Sequence, residues 1–259
     1  MNIGIFDSGI GGMTLLHQAV ATLPKENFIF YADTDHVPYG TKTKEQVIGF
    51  VDEVMQFMIA HDCKAVVIAC NTATSVAAEI MREQYEIPII GIEPAVKPAV
   101  EQSAGKRVMV VATPLTIQEE KLKNLVEKVD DAHLVDLLAL PRLVSFAERG
   151  EFDSAQVYDY LKEMLEPFCL ENYGELVLGC THFNYFKDSF RKLLPSDVQM
   201  IDGSIGTINQ LKRVLESRGQ LEENEGSVRY YTSGRELTAE QDLQRMEKLH
   251  KRLECMRNI

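Results

Sequence analysis

The chain alternates short apolar runs with longer stretches in which apolar residues recur every three or four positions. The runs at 2–6, 27–31, 64–69, 87–92, 107–112, 133–138, 175–179 and 198–202 predict strands. They are rich in Val and Ile and lack strict apolar/polar alternation, the pattern of strands covered on both faces. Between 44 and 61, Val47, Phe50, Val51, Val54 and Met58 mark one face of a helix. Residues 204–218 predict another, with Leu211, Val214 and Leu215 on one side and Gly219 as its C-terminal stop. Thr238 and Gln241 have the spacing of a capping box opening a last helix whose apolar side carries Leu243, Met246, Leu249 and Leu253. Strand–helix alternation of this kind predicts an α/β fold with mostly parallel sheets.

The strand pattern also repeats. The first strand ends at Asp7 in one half and at Ala112 in the other, and Cys70 and Cys180 each close a later strand at about the same offset. Two similar domains are expected: 1–96 plus 207–259 as the first and 97–206 as the second. The boundary is placed near EPAVKP at 93–98, where two prolines interrupt the pattern.

Composition narrows the choice of partner. The 259 residues include 27 basic and 39 acidic ones, a net charge of −12, with no block of Lys or Arg. That balance argues against nucleic acid or an anionic membrane as the main partner. No apolar stretch reaches the roughly 18 residues that a membrane span needs. Met1 leads into the first strand with no basic, signal-like segment, so the five cysteines are read as reduced thiols in the cytoplasm. None forms CxxC or a Cys/His zinc spacing, and no metal is expected.

The chemistry collects at strand ends. Asp7-Ser8-Gly9-Ile10-Gly11-Gly12 follows the first strand, where glycines allow close backbone approach and a helix N-terminus offers N–H groups to an anion. It matches neither the dinucleotide pattern, since position 14 is Thr14, nor a P-loop, so a plain strand-to-helix turn stands beside ligand contact. Asp33 and the turn Pro38-Tyr39-Gly40 follow the second strand, with helix capping as the alternative role for the carboxylate. A free cysteine is commonly a small core residue. Cys70, however, is followed by Asn71, Thr72 and Thr74, and Cys180 by Thr181 and His182. These neighbours are poor core choices and good donors at a strand-to-helix junction. An imidazole two residues from a thiol can move protons near neutral pH. Glu148, before Gly150, reads by itself as part of a solvated helix face.

DSGIGG at 7–12, PYG at 38–40, ACNTAT at 69–74, GIEPA at 91–95 and GCTH at 179–182 together resemble the glutamate racemases, cofactor-independent members of the aspartate/glutamate racemase superfamily. The resemblance spans nearly the whole chain. It implies two α/β domains related by pseudo-twofold symmetry, an active site in the cleft between them, and interconversion of L- and D-glutamate that supplies peptidoglycan synthesis. It further implies Cys70 as the base for D-glutamate and Cys180 as the base for L-glutamate. Asp7 and His182 would assist the two thiols, with Asp33 and Glu148 as supporting carboxylates. Ser8, Tyr39, Gly40, Asn71, Thr72 and Thr181 would hold the substrate, with Asp7, His182, Thr113 and Thr116 also in reach. No cofactor is implied, and a homodimer is. The chain departs from the family pattern at Asn184, Glu119 and Leu122.

Three other readings stand beside this one: the same chemistry on aspartate, a cysteine hydrolase built on Cys180 and His182, and a two-domain binding protein without turnover. The hydrolase leaves Cys70 without a role, and the binding protein leaves both thiols without one.

Overall fold

The computed structural model describes every residue except Asn224 and Asn258. Among the described residues ten strands occur in chain order: β1 (Asn2–Asp7), β2 (Asn27–Ala32), β3 (Cys63–Ile68), β4 (Ile89–Gly91), β5 (Arg107–Ala112), β6 (Val135–Ala139), β7 (Tyr173–Leu178), β8 (Gln199–Asp202), β9 (Ser227–Thr232) and β10 (Arg235–Glu236). The first six helices are α1 (Met13–Thr22), α2 (Lys44–Ala60), α3 (Asn71–Gln84), α4 (Val96–Gln102), α5 (Pro114–Gln118) and α6 (Glu120–Val129). Five more follow: α7 (Pro141–Glu148), α8 (Ala155–Leu165), α9 (Lys187–Arg191), α10 (Ser204–Ser217) and α11 (Glu240–Met256). None of the described helices is long and apolar enough to cross a membrane.

The strands form two sheets, ordered β10-β9-β2-β1-β3-β4 and β6-β5-β7-β8. All pairings are parallel except β9 with β10. The repeat read from the sequence is visible here. Each sheet is built on the order second-first-third-fourth, and each slips register where its first strand enters against its third, at Asn2/Ile3 and at Arg107/Val108. The central strands β1, β3, β5 and β7 are apolar because helices cover both their faces, and their Ile and Val side chains are buried. Cys70 and Cys180 each stand two residues beyond the third strand of their sheet, at its carboxyl end, where open α/β sheets bind ligands.

Four local expectations change. Pro98 does not interrupt the chain but sits in the first turn of α4, where the missing N–H would have no helical partner anyway. The capping box at Thr238 is absent: Ala239 is the N-cap, one residue later, and Glu240 and Asp242 supply first-turn negative charge instead. Leu243 is exposed, and the buried face of α11 consists of Met246, Leu249, Leu253 and Met256. The segment 227–232, outside the strands predicted from the sequence, is strand β9, which pairs in parallel with β2 and extends the first sheet. Its alternation of Val228, Tyr230 and polar residues is that of a strand with one wet face. The stop at Gly219 is as read: its φ is +63°, Gly219 N–H donates to Glu216 O at 3.1 Å and Gln220 N–H to Leu215 O at 3.0 Å.

Candidate active site

Residues from the carboxyl ends of both sheets enclose one small cavity. Its lining contains Cys70 and Cys180 together with Ser8, Tyr39, Gly40, Asn71, Thr72, Thr113, Thr181 and His182. Pro38, already named in the turn after the second strand, and Val144, which was not singled out from the sequence, complete it. Val144 precedes Glu148 by four residues on α7, so the two share a helix face, and that spacing is the signal that points to it. The carboxylates Asp7, Asp33 and Glu148 are not on the wall but behind it, as is Thr116.

Each thiol is positioned differently. Cys70 is the N-cap of α3, and its sulfur accepts the Ala73 N–H at 3.4 Å while lying 3.7 Å from Ser8 Oγ. Asp7, expected beside Cys70, reaches it through Ser8. Its Oδ1 accepts from Ser8 Oγ and Gly9 N–H, each at 3.2 Å, and its Oδ2 from Thr181 Oγ1 at 2.8 Å. Asp7 therefore ties the two halves of the site together. Burial pushes the Cys70 thiol up to about 12, the Asp7 charge adds to this, and the Ala73 and Ser8 contacts only partly offset it. In the free protein Cys70 is a protonated thiol.

Cys180 is extended and opens a single 3-10 segment, Thr181–Phe186. His182 lies with Nδ1 3.9 Å from Cys180 Sγ and Nε2 2.7 Å from Glu148 Oε1. Burial alone would lower the imidazole, but its contacts with Cys180 and Glu148 prevail and hold it well above its ordinary range. The imidazole thus places a positive charge and a hydrogen-bond donor beside the Cys180 sulfur.

The glycine-rich turn has a different anion from the one expected. Ile10 N–H donates to Glu148 Oε1 at 2.8 Å, so a carboxylate of the chain itself occupies the turn. Asp33 accepts from Tyr39 Oη at 2.6 Å and Ser233 Oγ at 3.2 Å, and lies 2.9 Å from His36 Nδ1. Burial and this carboxylate hold the Tyr39 phenol protonated, so Asp33 acts on the cavity by fixing Tyr39 as part of its wall. Thr72, Thr113 and Thr116 form a triangle of hydroxyls with edges of 3.0, 3.1 and 2.9 Å across the two halves. Asn184 is buried and directs Nδ2 to Thr181 O at 3.4 Å, while Glu119 pairs with Lys44 at 3.0 Å. Asn71 is buried in the cavity wall with neither Oδ1 nor Nδ2 partnered among the described residues. An unmade hydrogen bond at a buried amide costs about 1–3 kcal/mol, and a bound polar molecule would recover it.

Asp7 has a stability signature. Burial raises its carboxyl above the ordinary value of 3.8, against the opposing effects of His182 and of its three hydrogen bonds. The folded state thus holds the proton more tightly than the unfolded chain, and stability falls as pH rises through that interval. Asp7→Asn is expected to melt higher than the wild type at pH 7, because the substitution removes the ionisation that burial opposes. The gain should vanish below the unfolded value, and turnover should fall throughout. Differential scanning calorimetry at pH 3 and pH 7 checks this; equal melting shifts at both would refute it.

Comparisons with known proteins agree with this geometry. A family model described as Asp/Glu/Hydantoin racemase matches residues 7–211, a span that includes both thiols. The chain is 55% identical over 265 residues to a glutamate racemase of Lachnospira eligens, covering 100% of each. It is 51% identical over 251 residues to glutamate racemase 2 of Bacillus subtilis, covering 96% of this chain and 95% of the other. Among solved structures, glutamate racemase from Francisella tularensis in complex with D-glutamate matches with a TM-score of 0.82 at 30% identity, covering 96% of this chain and 93% of that one. The Escherichia coli enzyme in complex with L-glutamate and the activator UDP-MurNAc-ala matches at 0.81 and 26% identity, covering 96% and 94%. On this full-length similarity, the chain belongs to the Asp/Glu/Hydantoin racemase family.

Proposed function

We propose that the protein interconverts L- and D-glutamate by moving protons between the substrate α-carbon and two cysteines, without a cofactor, to supply D-glutamate for peptidoglycan. The observation that carries this reading is the placement of two thiols, from equivalent strand ends of two similar sheets, on the wall of one cavity. A single base would have to travel around the substrate to serve both faces.

In the L-to-D direction Cys180, with His182 beside it, acts as the thiolate base and takes the α-proton. The protonated Cys70 delivers its proton to the opposite face. The negative charge that develops at the carboxylate meets the N-terminal amides of α3 and the unpartnered Asn71 amide, donors already fixed in position. In the reverse direction Cys70 must first lose its proton. The substrate ammonium group supplies a positive charge that offsets Asp7 and lowers the thiol towards working pH. Asp7 and Glu148 set the charge of the two thiol environments from behind the wall, and Asp33 does so less directly through Tyr39. The cavity measures about 10 Å³, room for roughly one water. Substrate entry therefore requires the walls contributed by the two sheets to part. The two similar halves, with β9, α10 and α11 returning to the first, form the natural units of that motion. The family resemblance supports a homodimer working in the cytoplasm, which light scattering on purified protein and fractionation of cells test.

Each enantiomer of glutamate and of aspartate, incubated separately and followed by circular dichroism, tests the reading. Loss of optical activity from both glutamate enantiomers, with aspartate turned over far more slowly, is the expected result. Preference for aspartate would replace the substrate, and no change with either would overturn the reading.

A further inference from the structure

The segment that carries Thr181 and His182 is a 3-10 helix, a conformation with poorer hydrogen bonding than an α-helix and little stability of its own. Cys70, by contrast, caps the regular 14-residue helix α3. The Cys180 half of the site needs support from outside, and the C-terminal helix provides it. Arg252 donates through Nε and Nη2 to Tyr185 O at 3.2 and 2.9 Å, and through Nη2 to both carboxylate oxygens of Asp188 at 2.7 Å. Its guanidinium lies 5.5 Å from the centroid of the Phe152 ring, which itself stacks on Tyr185 at 5.0 Å. One side chain therefore grips the segment beyond His182 at two points and from one face.

Arg245, two helical turns earlier on α11, donates from Nη2 to the backbone oxygen of Glu148 at 3.2 Å. That carbonyl belongs to the last turn of α7, where a cation is favourable. The two arginines thus hold the backbone on either side of the 2.7 Å contact between His182 and Glu148. The adjoining apolar side of α11, with Met246, Leu249 and Leu253, is buried in the same core as Leu15, Leu16 and Ala19 of α1, and Leu249 lies one turn from each arginine. Tyr185 adds a second tie to the first half of the chain, donating from its buried phenol to Ile10 O at 3.0 Å.

We infer that Arg252 and Arg245 are positioning residues for the Cys180 half-site: from the C-terminal helix they hold the His182–Glu148 pair in register with Cys180, whereas Cys70 is held by its place as the N-cap of α3. This inference rests on the two-thiol reading above. Loss of the grip raises the barrier for proton transfer at Cys180 and leaves the transfer at Cys70 unchanged. Because two enantiomers are equal in free energy, kcat/KM must fall equally in both directions, so rates alone do not reveal the asymmetry. Primary isotope effects do. With Cys180 limiting, removal of deuterium from [α-2H]-L-glutamate becomes fully rate-determining. From [α-2H]-D-glutamate the limiting step becomes reprotonation by Cys180, which carries a solvent proton.

The test uses the full-length protein with Arg252→Lys, which keeps the charge but not the planar fork, together with Arg245→Gln and the exposed control Arg213→Gln on α10. Arg252→Lys is expected to lower kcat about 10- to 100-fold, the scale of a displacement near 1 Å. The isotope effect should rise for the L-substrate and fall towards 1 for the D-substrate. Arg245→Gln should shift both in the same sense by less, and Arg213→Gln should match the wild type. A loss of activity with both isotope effects unchanged, or changed equally, would overturn the inference, as would wild-type kinetics in Arg252→Lys. Should Arg252→Lys fail to fold, the isotope effects of Arg245→Gln decide in the same way. Failure of the wild type to racemise glutamate at all would instead count against the function proposed above.

Discussion

Cys180→Ala protein is expected to racemise glutamate about 10²–10⁴-fold more slowly than the wild type, the range that a positioned acid–base group contributes. Cys70→Ala is expected to lose a similar factor. The two losses arise on opposite faces, which gives each variant its own residual chemistry. Without Cys180, Cys70 still reaches the α-proton of D-glutamate and can exchange it with solvent. Without Cys70, only L-glutamate should exchange. Proton NMR in D2O, following the α-hydrogen of each enantiomer in each variant, reads this out directly. The pattern of one exchanging enantiomer per variant separates two bases from a hydrolase built on Cys180 and His182, in which Cys70→Ala would remain active. Cys63→Ala is the matched control. That thiol is buried at the start of β3 with its sulfur 3.7 Å from Met58 Sδ, away from the cavity lining, and turnover should be unchanged.

Gly9→Ala is the second large effect, and it introduces only a methyl group. A Cβ at position 9 would occupy the place of the Glu148 carboxylate and come within 3.0 Å of His182 Nε2. Gly9 itself is extended, with φ of −161°, so any residue could adopt its backbone; what alanine lacks there is space. Glu148 or the turn must move, and either movement breaks the contacts of Glu148 with His182 and with Ile10 N–H. Turnover is expected to fall about 100-fold, with a stability loss of about 1–3 kcal/mol from overpacking. Steady-state kinetics beside a urea titration measures both. Wild-type turnover in Gly9→Ala would show that the register between the turn and the His182–Glu148 pair is unimportant.

The glycine-rich turn illustrates how far the sequence can be read. Its glycines and its place after the first strand were legible as a device for close approach and anion binding. What approaches could not be read, because Glu148 is 138 residues away from Ile10 and looks like an ordinary solvated helix residue. The two thiols were the clearest features, since Cys70 and Cys180 follow largely apolar strands and are flanked by Asn, Thr and His that a core would exclude. The fold class and the repeat were legible for the same reason: buried parallel strands leave a strong local signal. Strand β9 left a weak one because it alternates buried and exposed positions. Asp7 and Asp33 were legible as carboxylates at strand ends, but their partners were not, since Thr181, Tyr39 and Ser233 meet them only through tertiary packing. Arg252 gave no sequence signal at all. On a highly charged, amphipathic final helix it reads as one more surface charge.

The central claim, that two thiols hand protons to opposite faces of glutamate, is tested most directly by the wild-type reaction in D2O at early times. L-glutamate should give D-glutamate carrying deuterium at Cα, while the remaining L-glutamate is still largely unlabelled, because Cys70 draws its hydrogen from solvent and Cys180 removes the original one. D-glutamate that keeps its protium, or deuterium appearing equally in substrate and product from the start, would contradict the two-thiol account.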